Sequence, residues 1–272
     1  MTTLIAFLAL SSSTTANPAW VKTSNGFTKK YNGKTLINAP KMTEKVIALT
    51  FDDGPSPFTT PPILDSLKKA DAKATFFVVG QMCRGREKIL LRIANEGHAV
   101  ANHSWSHPMN PSAASARGEI EQTNAIIKKT LGFTPRLYRP PYGNLKARST
   151  GVAKTQGMPI VIWTGSGGDT STKSPDRVYQ ASVAAIKPGA IILLHDLWPH
   201  TMKAVPRILA TAKKMGYTFI TVPEMLDRWE KAEANAPATP SVKATAKPVA
   251  KPTKRQVKGS GKGGTATATA DK

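Results

Sequence analysis

Val46-Ile-Ala-Leu-Thr50-Phe51-Asp52-Asp53-Gly54-Pro55 ends an apolar run on two adjacent carboxylates and then turns. The run is short and bounded by Gly-Pro, the pattern of a buried strand opening into a loop. Successive strand residues point to opposite faces, so two consecutive acids can serve one site only where the strand breaks into a turn. Six similar runs follow, at 74–79, 99–102, 137–139, 160–163, 190–194 and 217–222. Stretches with helical spacing separate them, such as Ile63, Leu64, Leu67 and Ala70, or Ile89, Leu90, Ile93 and Ala94. Others lie over 120–131, 145–156, 176–186, 201–215 and 223–234. Seven strands alternating with helices predict a parallel α/β architecture with the crossovers outside. The polar residues able to do chemistry fall at the ends of the runs: Asp52 and Asp53, His103, Arg139 and His195, with Asp169 somewhat beyond its run. A β/α barrel or open α/β sheet collects its site there.

His103-Ser-Trp-Ser-His107 carries two imidazoles four residues apart. On a helix they would project from one face. One carboxylate with two imidazoles makes a three-ligand set for a catalytic divalent metal, and the second carboxylate is then free to act as a base. Each feature has a structural alternative. Asp52 and Asp53 could form a cap or an Asx turn, the histidines could be buried and hydrogen-bonded, and Arg139 could be a structural ion-pair partner. None of these alternatives accounts for the other sites. His98, after Gly97, and His200, beside Pro199, are read as structural, and Cys83 as a free thiol.

The chain has 272 residues, 40% of them hydrophobic, and a formal net charge of +21. The single cysteine excludes an intrachain disulfide framework. An apolar run over 4–10, followed by small residues up to Ala16, reads as a signal peptide over 1–16, although no Lys or Arg precedes it. That implies a secreted or cell-envelope protein. No segment qualifies as a transmembrane span. Residues 17–43 read as an irregular lead-in, 44–234 as the domain, and 235–272 as a disordered tail rich in Ala, Pro, Thr, Lys and Gly. Residues 231–272 contribute +7 of the charge. A basic body and tail point to an anionic surface or polymer. Charge alone hints at nucleic acid, but no recognition module is visible, so no specific nucleic-acid partner is expected.

Four motifs stand in order: Thr50-Phe-Asp-Asp-Gly54, His103-Ser-Trp-Ser-His107, Arg139-Pro-Pro-Tyr-Gly143 and Leu193-Leu-His195. Together they resemble the polysaccharide deacetylase family, also called the NodB-homology or carbohydrate esterase family 4 domain, over roughly residues 44–230. The resemblance implies a distorted (β/α)7 barrel and a metal-dependent hydrolase. Asp53, His103 and His107 would bind one divalent ion, Zn2+ first, with Co2+, Ni2+ or Mn2+ as alternatives. Asp52 would be the general base and Arg139 its partner, keeping it ionised. The Tyr142 N–H would donate to the oxyanion. His195 would be the general acid, oriented by Asp169. Leu193 would line the acetyl pocket. The fourth motif departs from the family pattern. Ser166 stands where an Asp is common, and Thr170 where a Trp helps close the acetyl pocket; Trp198 could supply the missing aromatic wall. The substrate implied is an acetylated glycan, with N-deacetylation of a GlcNAc-containing polymer, chitin-like or peptidoglycan, placed first. O-deacetylation of acetylxylan-type glycans and a catalytically weak glycan-binding or wall-anchoring protein are the alternatives.

Overall fold

The computed structural model describes residues 24–25, 27, 29–36 and 42–234. The expected signal peptide and the tail over 235–272 lie outside them. The strands are β1 (Thr35–Leu36), β2 (Val46–Asp52), β3 (Ala74–Val78), β4 (Ala99–Asn102), β5 (Ile160–Val161), β6 (Gly165–Ser166), β7 (Ala190–His195) and β8 (Thr218–Phe219). The helices are α1 (Thr60–Lys69), α2 (Gly80–Cys83), α3 (Glu87–Asn95), α4 (Ala116–Leu131), α5 (Arg148–Thr155), α6 (Pro175–Ala184), α7 (Pro199–Lys214) and α8 (Val222–Ala234). Every strand pairing among the described residues is parallel.

The strand order β4-β3-β2-β7-β6 forms one side of the sheet. Tyr138 bridges Asn102 of β4 to Ile160 of β5, and β5 pairs with β1. The short segment from Ile160 to Ser166 then crosses over. Its first residues bond to Tyr138 and Leu36, while Thr164 N–H donates to Ile191 and Gly165–Ser166 pair with β7. That crossover closes the sheet into a distorted parallel barrel of the (β/α)7 type.

Two of the runs are weaker as strands than the sequence implies. The 137–139 run is a single bridge residue, and 217–222 pairs only through Thr218–Phe219 with the start of β2. The lead-in is less irregular than its composition indicates. Phe27, Tyr31 and Leu36 are buried, and β1 sits in the sheet.

All seven residues of β2 are buried, as expected of a parallel strand covered on both faces. The alternation sorts them. Ile47, Leu49 and Phe51 pack outward under the helices with Phe76, Val78, Ile192 and Leu194. Ala48 faces inward with Phe77, Ala101, Val161 and Ile191. Thr50 and Asp52 share the Ala48 face, and Leu193 and His195 share the Ile191 face, so the inner rows become polar toward their C-terminal ends. At the opposite end, α8 packs Met225, Leu226 and Trp229 against Val46, Ala48 and Ile220, sealing the interior. Trp229 is fully buried, and truncating it to Ala would cost about 3–5 kcal/mol.

Candidate functional site

Asp52 is the last residue of β2, and its strand register places it opposite His195 of β7. Asp53 follows with φ 75°. This left-handed turn swings its carboxylate back toward the barrel mouth, so the two acids converge where the strand breaks. Gly54 is obligatory behind them: a Cβ there would lie 2.1 Å from Asp196 Oδ2.

The His103–His107 segment is not helical. It is a turn after β4, with positive φ at Ser104 (70°) and His107 (59°). Polar groups from elsewhere hold it. The Asn102 side-chain oxygen accepts from Ser104 N–H (2.7 Å), and Ser104 Oγ accepts from His107 N–H (3.0 Å). The buried Glu119 of α4 accepts from the N–H groups of Trp105 and Ser106 and from the Ser106 hydroxyl, at 2.7–2.9 Å. Convergence of the imidazoles thus comes from a braced turn and not from helical spacing. Four of the five positive-φ non-glycine residues described, Asp53, Ser104, His107 and Tyr142, lie here. Such conformations cost about 1–3 kcal/mol each and persist where surrounding contacts dictate them.

Asp53 Oδ1 lies 3.3 Å from His103 Nε2 and 3.2 Å from His107 Nε2, and it is buried without a hydrogen-bond partner. The three ligand atoms all lie within 4.8 Å of one another. Ligands about 2.0–2.2 Å from a tetrahedral zinc stand about 3.3–3.6 Å apart, so the donor set fits a divalent cation. His103 Nδ1–H donates to the Arg139 carbonyl (2.7 Å), which leaves Nε2 as a lone-pair donor facing Asp53. Burial and neighbouring His103 lower the His107 pKa against the pull of Asp53 and Asp52, favouring the neutral ligand form. Burial opposes ionisation of Asp53, but the neighbouring His103, with His107 and His195, brings its pKa down to about 2.

Arg139 is wholly buried in the barrel interior, its guanidinium 4.0 Å from the Phe77 ring centroid. Its Nη1 donates to Asp52 Oδ1 (2.7 Å) and Thr50 Oγ1 (2.8 Å), and Nε to the Val161 carbonyl (3.1 Å). Asp52 Oδ2 is left facing the ligand cluster, 3.6 Å from His103 Nε2. On the other side of the mouth, His195 Nδ1–H donates to Asp169 Oδ1 (2.9 Å). Asp169 Oδ2 accepts from His195 N–H and the Thr201 hydroxyl, both at 2.7 Å. Burial disfavours the His195 imidazolium, but the Asp169 hydrogen bond and the Asp52 and Asp53 charges outweigh it and push the pKa up to about 9.

Tyr142 completes the rim. Its ring centroid lies 4.7 Å from that of His107, and its N–H has no acceptor among the described residues. The turn requires Gly143, which has φ +66° and would bring a Cβ within 2.9 Å of Trp163. Leu193 lies inside the barrel on the His195 face. Trp198 stands outside it and is 40% exposed. His200 reaches the same neighbourhood: its Nε2–H donates to the Asp169 carbonyl (2.8 Å). His98 is buried, accepts from Ala74 N–H, and is driven down to about pKa 3 by burial. Buried Cys83 is pushed up to about 12, which leaves the thiol inert.

Glu119, Asn102 and Thr201 carry no signal in the sequence, being single polar residues in otherwise ordinary segments. Asp196, the residue after β7, is a further acid behind the site. It is fully buried, accepts from the Thr60 hydroxyl, packs against Gly54, and is raised to about pKa 7 by burial.

Residues 39–161 match the family described as Polysaccharide deacetylase. Over 185 residues the chain is 36% identical to a peptidoglycan-N-acetylglucosamine deacetylase of Bacillus cereus, covering 66% of this chain and 67% of that one. The chain belongs to the polysaccharide deacetylase family. It is also 37% identical over 193 residues to the peptidoglycan-N-acetylmuramic acid deacetylase PdaC of Bacillus subtilis, covering 70% of this chain. It spans only 41% of the length of PdaC. The solved structure of PdaC superposes with a TM-score of 0.66 at 36% identity, over 71% of this chain and 94% of that one. The barrel is therefore that of the polysaccharide deacetylases, as its motifs imply. No helix among the described residues is long and apolar enough to cross a membrane.

Proposed function

We propose that this chain removes acetyl groups from glycans, with N-acetylated sugars of a GlcNAc-containing polymer as the first choice and peptidoglycan the leading candidate. The observation that carries the reading is the pairing across the mouth. A carboxylate tied to a buried arginine faces an imidazole tied to a buried aspartate, with the Asp53, His103 and His107 donors beside them.

Asp53, His103 and His107 would hold a divalent cation, zinc in the first instance, which would supply Lewis-acid chemistry for the acyl carbonyl and for a water whose pKa it would bring to about 7. Asp52 takes the water's proton through Oδ2, because Oδ1 is engaged by Arg139. The Tyr142 N–H donates to the oxygen on which charge develops. His195, whose imidazolium form is favoured by Asp169, delivers a proton to the departing nitrogen. Asp169 fixes its ring and tautomer through Nδ1. Leu193 provides an apolar wall for the acetyl methyl. The same machinery cleaves O-acetyl esters, whose leaving groups are better.

A secreted or cell-envelope location fits such a substrate, and the basic residues beyond 235 would hold the enzyme near an anionic polymer. Acetate release from peptidoglycan, chitooligosaccharides and acetylxylan, with and without chelator, tests the reading. Release from an N-acetylated glycan that chelator abolishes and added metal restores is the expected outcome. His103→Ala or His107→Ala should each lose both metal and activity. Full activity in both variants would refute it.

A further inference from the structure

Outside the barrel mouth, the loop 169–173 and the start of α7 enclose a groove. One part, of about 310 Å³, is lined by Asp169, Thr170, Ser171, Lys173, Trp198 and His200. It continues into a second part of about 340 Å³, past Pro199 to Lys203. Asp169 belongs both to this groove and to the His195 pair, so the groove reaches the partner of His195, although His195 itself does not line it.

The walls are unlike each other. Trp198 stacks on His200 with ring centroids 5.9 Å apart and an interplanar angle of 15°. His200 is pinned by its bond to the Asp169 carbonyl, so the indole plate is set before any ligand arrives. Its free face can take the C–H face of a pyranose ring. Thr170, Ser171 and Thr172 offer hydroxyls to sugar oxygens. Thr170 is small, which keeps the groove open. Lys173 and Lys203 are both exposed, line the groove, and have no carboxylate partner among the described residues. The nearby exposed acid, Asp176, is already paired with Arg207. The groove thus joins an aromatic platform to two unneutralised ammonium groups.

We propose that this groove is a specificity subsite for a sugar bearing a carboxylate, seated next to the acetamido group that is cleaved. The inference deepens the deacetylase reading above and rests on it. A neutral chitin-like chain would use the indole and the hydroxyls alone. An acidic glycan would also engage Lys173 and Lys203. The carboxylate could sit on an ether substituent of the sugar or on an attached peptide, and the two sources are separable by experiment.

The test compares kcat/KM on three soluble substrates of equal length: an N-acetylglucosamine oligomer, a glycan strand with free lactyl carboxylates, and the same strand with those carboxylates amidated. A fourth, carrying stem peptides, reports the peptide source. Wild type should prefer the free-carboxylate strand over its amidated form, through KM, and the preference should shrink with salt. In Lys173→Ala/Lys203→Ala that ratio should fall by roughly three- to tenfold, as expected for two exposed pairs. Lys173→Arg/Lys203→Arg should keep it. A preference seen only with the stem peptides places the carboxylate on the peptide. Equal kcat/KM on free and amidated strands, with or without peptide, or a ratio unchanged by the Ala pair, overturns the proposal. Titrating the strands against intrinsic tryptophan fluorescence, in wild type and the Ala pair, gives a readout independent of turnover. If no substrate releases acetate, the deacetylase reading fails. The titration still decides whether the groove selects carboxylate: tighter binding of the free-acid strand, lost in the Ala pair, upholds that selectivity, and equal binding overturns it.

Discussion

Asp52 and His195 face each other across one pair of strands, yet their surroundings treat charge in opposite ways. On the Asp52 side the partner is a cation, Arg139, sealed in the barrel and resting on Phe77. On the His195 side the partner is an anion, Asp169, itself held by Thr201 and the His195 backbone. The first arrangement engages Asp52 Oδ1 and leaves Oδ2 facing the ligand cluster. The second favours a group that holds a proton, its pKa raised against burial by the Asp169 hydrogen bond and the nearby carboxylates. On the proposed mechanism a single register pair would therefore supply both the base and the acid, each held by a partner on another element.

Breaking the base side should have the largest effect. Asp52→Asn keeps the shape and the bond to Arg139 but cannot accept a proton. Turnover should fall about 10²–10⁴-fold while bound metal stays at wild-type content. Loss of metal in this variant would reassign Asp52 to the ligand set. Next comes the acid itself. His195→Ala should lower amide cleavage about a hundredfold or more and ester cleavage distinctly less, because an amine leaves poorly without a proton. Equal small losses on both substrates would remove His195 from that role.

Asp169→Asn sharpens the comparison by changing only the partner. The rate should fall about 10–100-fold. His195 acts when protonated, so activity declines as pH rises through its pKa, and wild type should show an alkaline limb. Without the anion the pKa moves back toward the ordinary 6.5, so the limb should shift to lower pH. A bound cation lowers the limb in both proteins, so the difference between the two profiles is what decides. An unchanged profile would mean that Asp169 does not tune the acid. The smallest effect belongs to Thr170→Ala, which removes one exposed hydroxyl from the groove and should leave kcat within about twofold.

Much of this was legible because parallel barrel strands are buried on both faces and announce themselves as apolar runs. Six of the seven runs contain a strand and the one at 137–139 contributes a bridge, and the polar residues that end the runs of β2, β4, the bridge and β7 mark the mouth. What could not be read depends on contacts distant in sequence. The spacing of His103 and His107 invites a helix, but the turn is held by Glu119, which has no local reason to be there. The strand Thr35–Leu36 is two residues long and exists because Ile160–Val161 offers it an edge. Gly165–Ser166 has no apolar character at all and is a strand only by pairing with β7. Thr201 reads as one more polar helix residue, yet it donates to the aspartate that holds His195.

The crossover at 160–166 has a kinetic consequence. β2 and β7 share a six-residue register, whereas the ring is shut by two-residue pairings and single bridges. Subglobal openings should begin at that seam, so the amides of Ile162, Thr164 and Gly167 should exchange with deuterated solvent well before those of β2. Trp163, which rests against Gly143, and the chain leading to Asp169 lie within or just after the seam. The partners Arg139, bonded to Val161, and Asp169, just beyond the crossover, would then border the part that breathes, while Asp52 and His195 stay with the centre of the sheet.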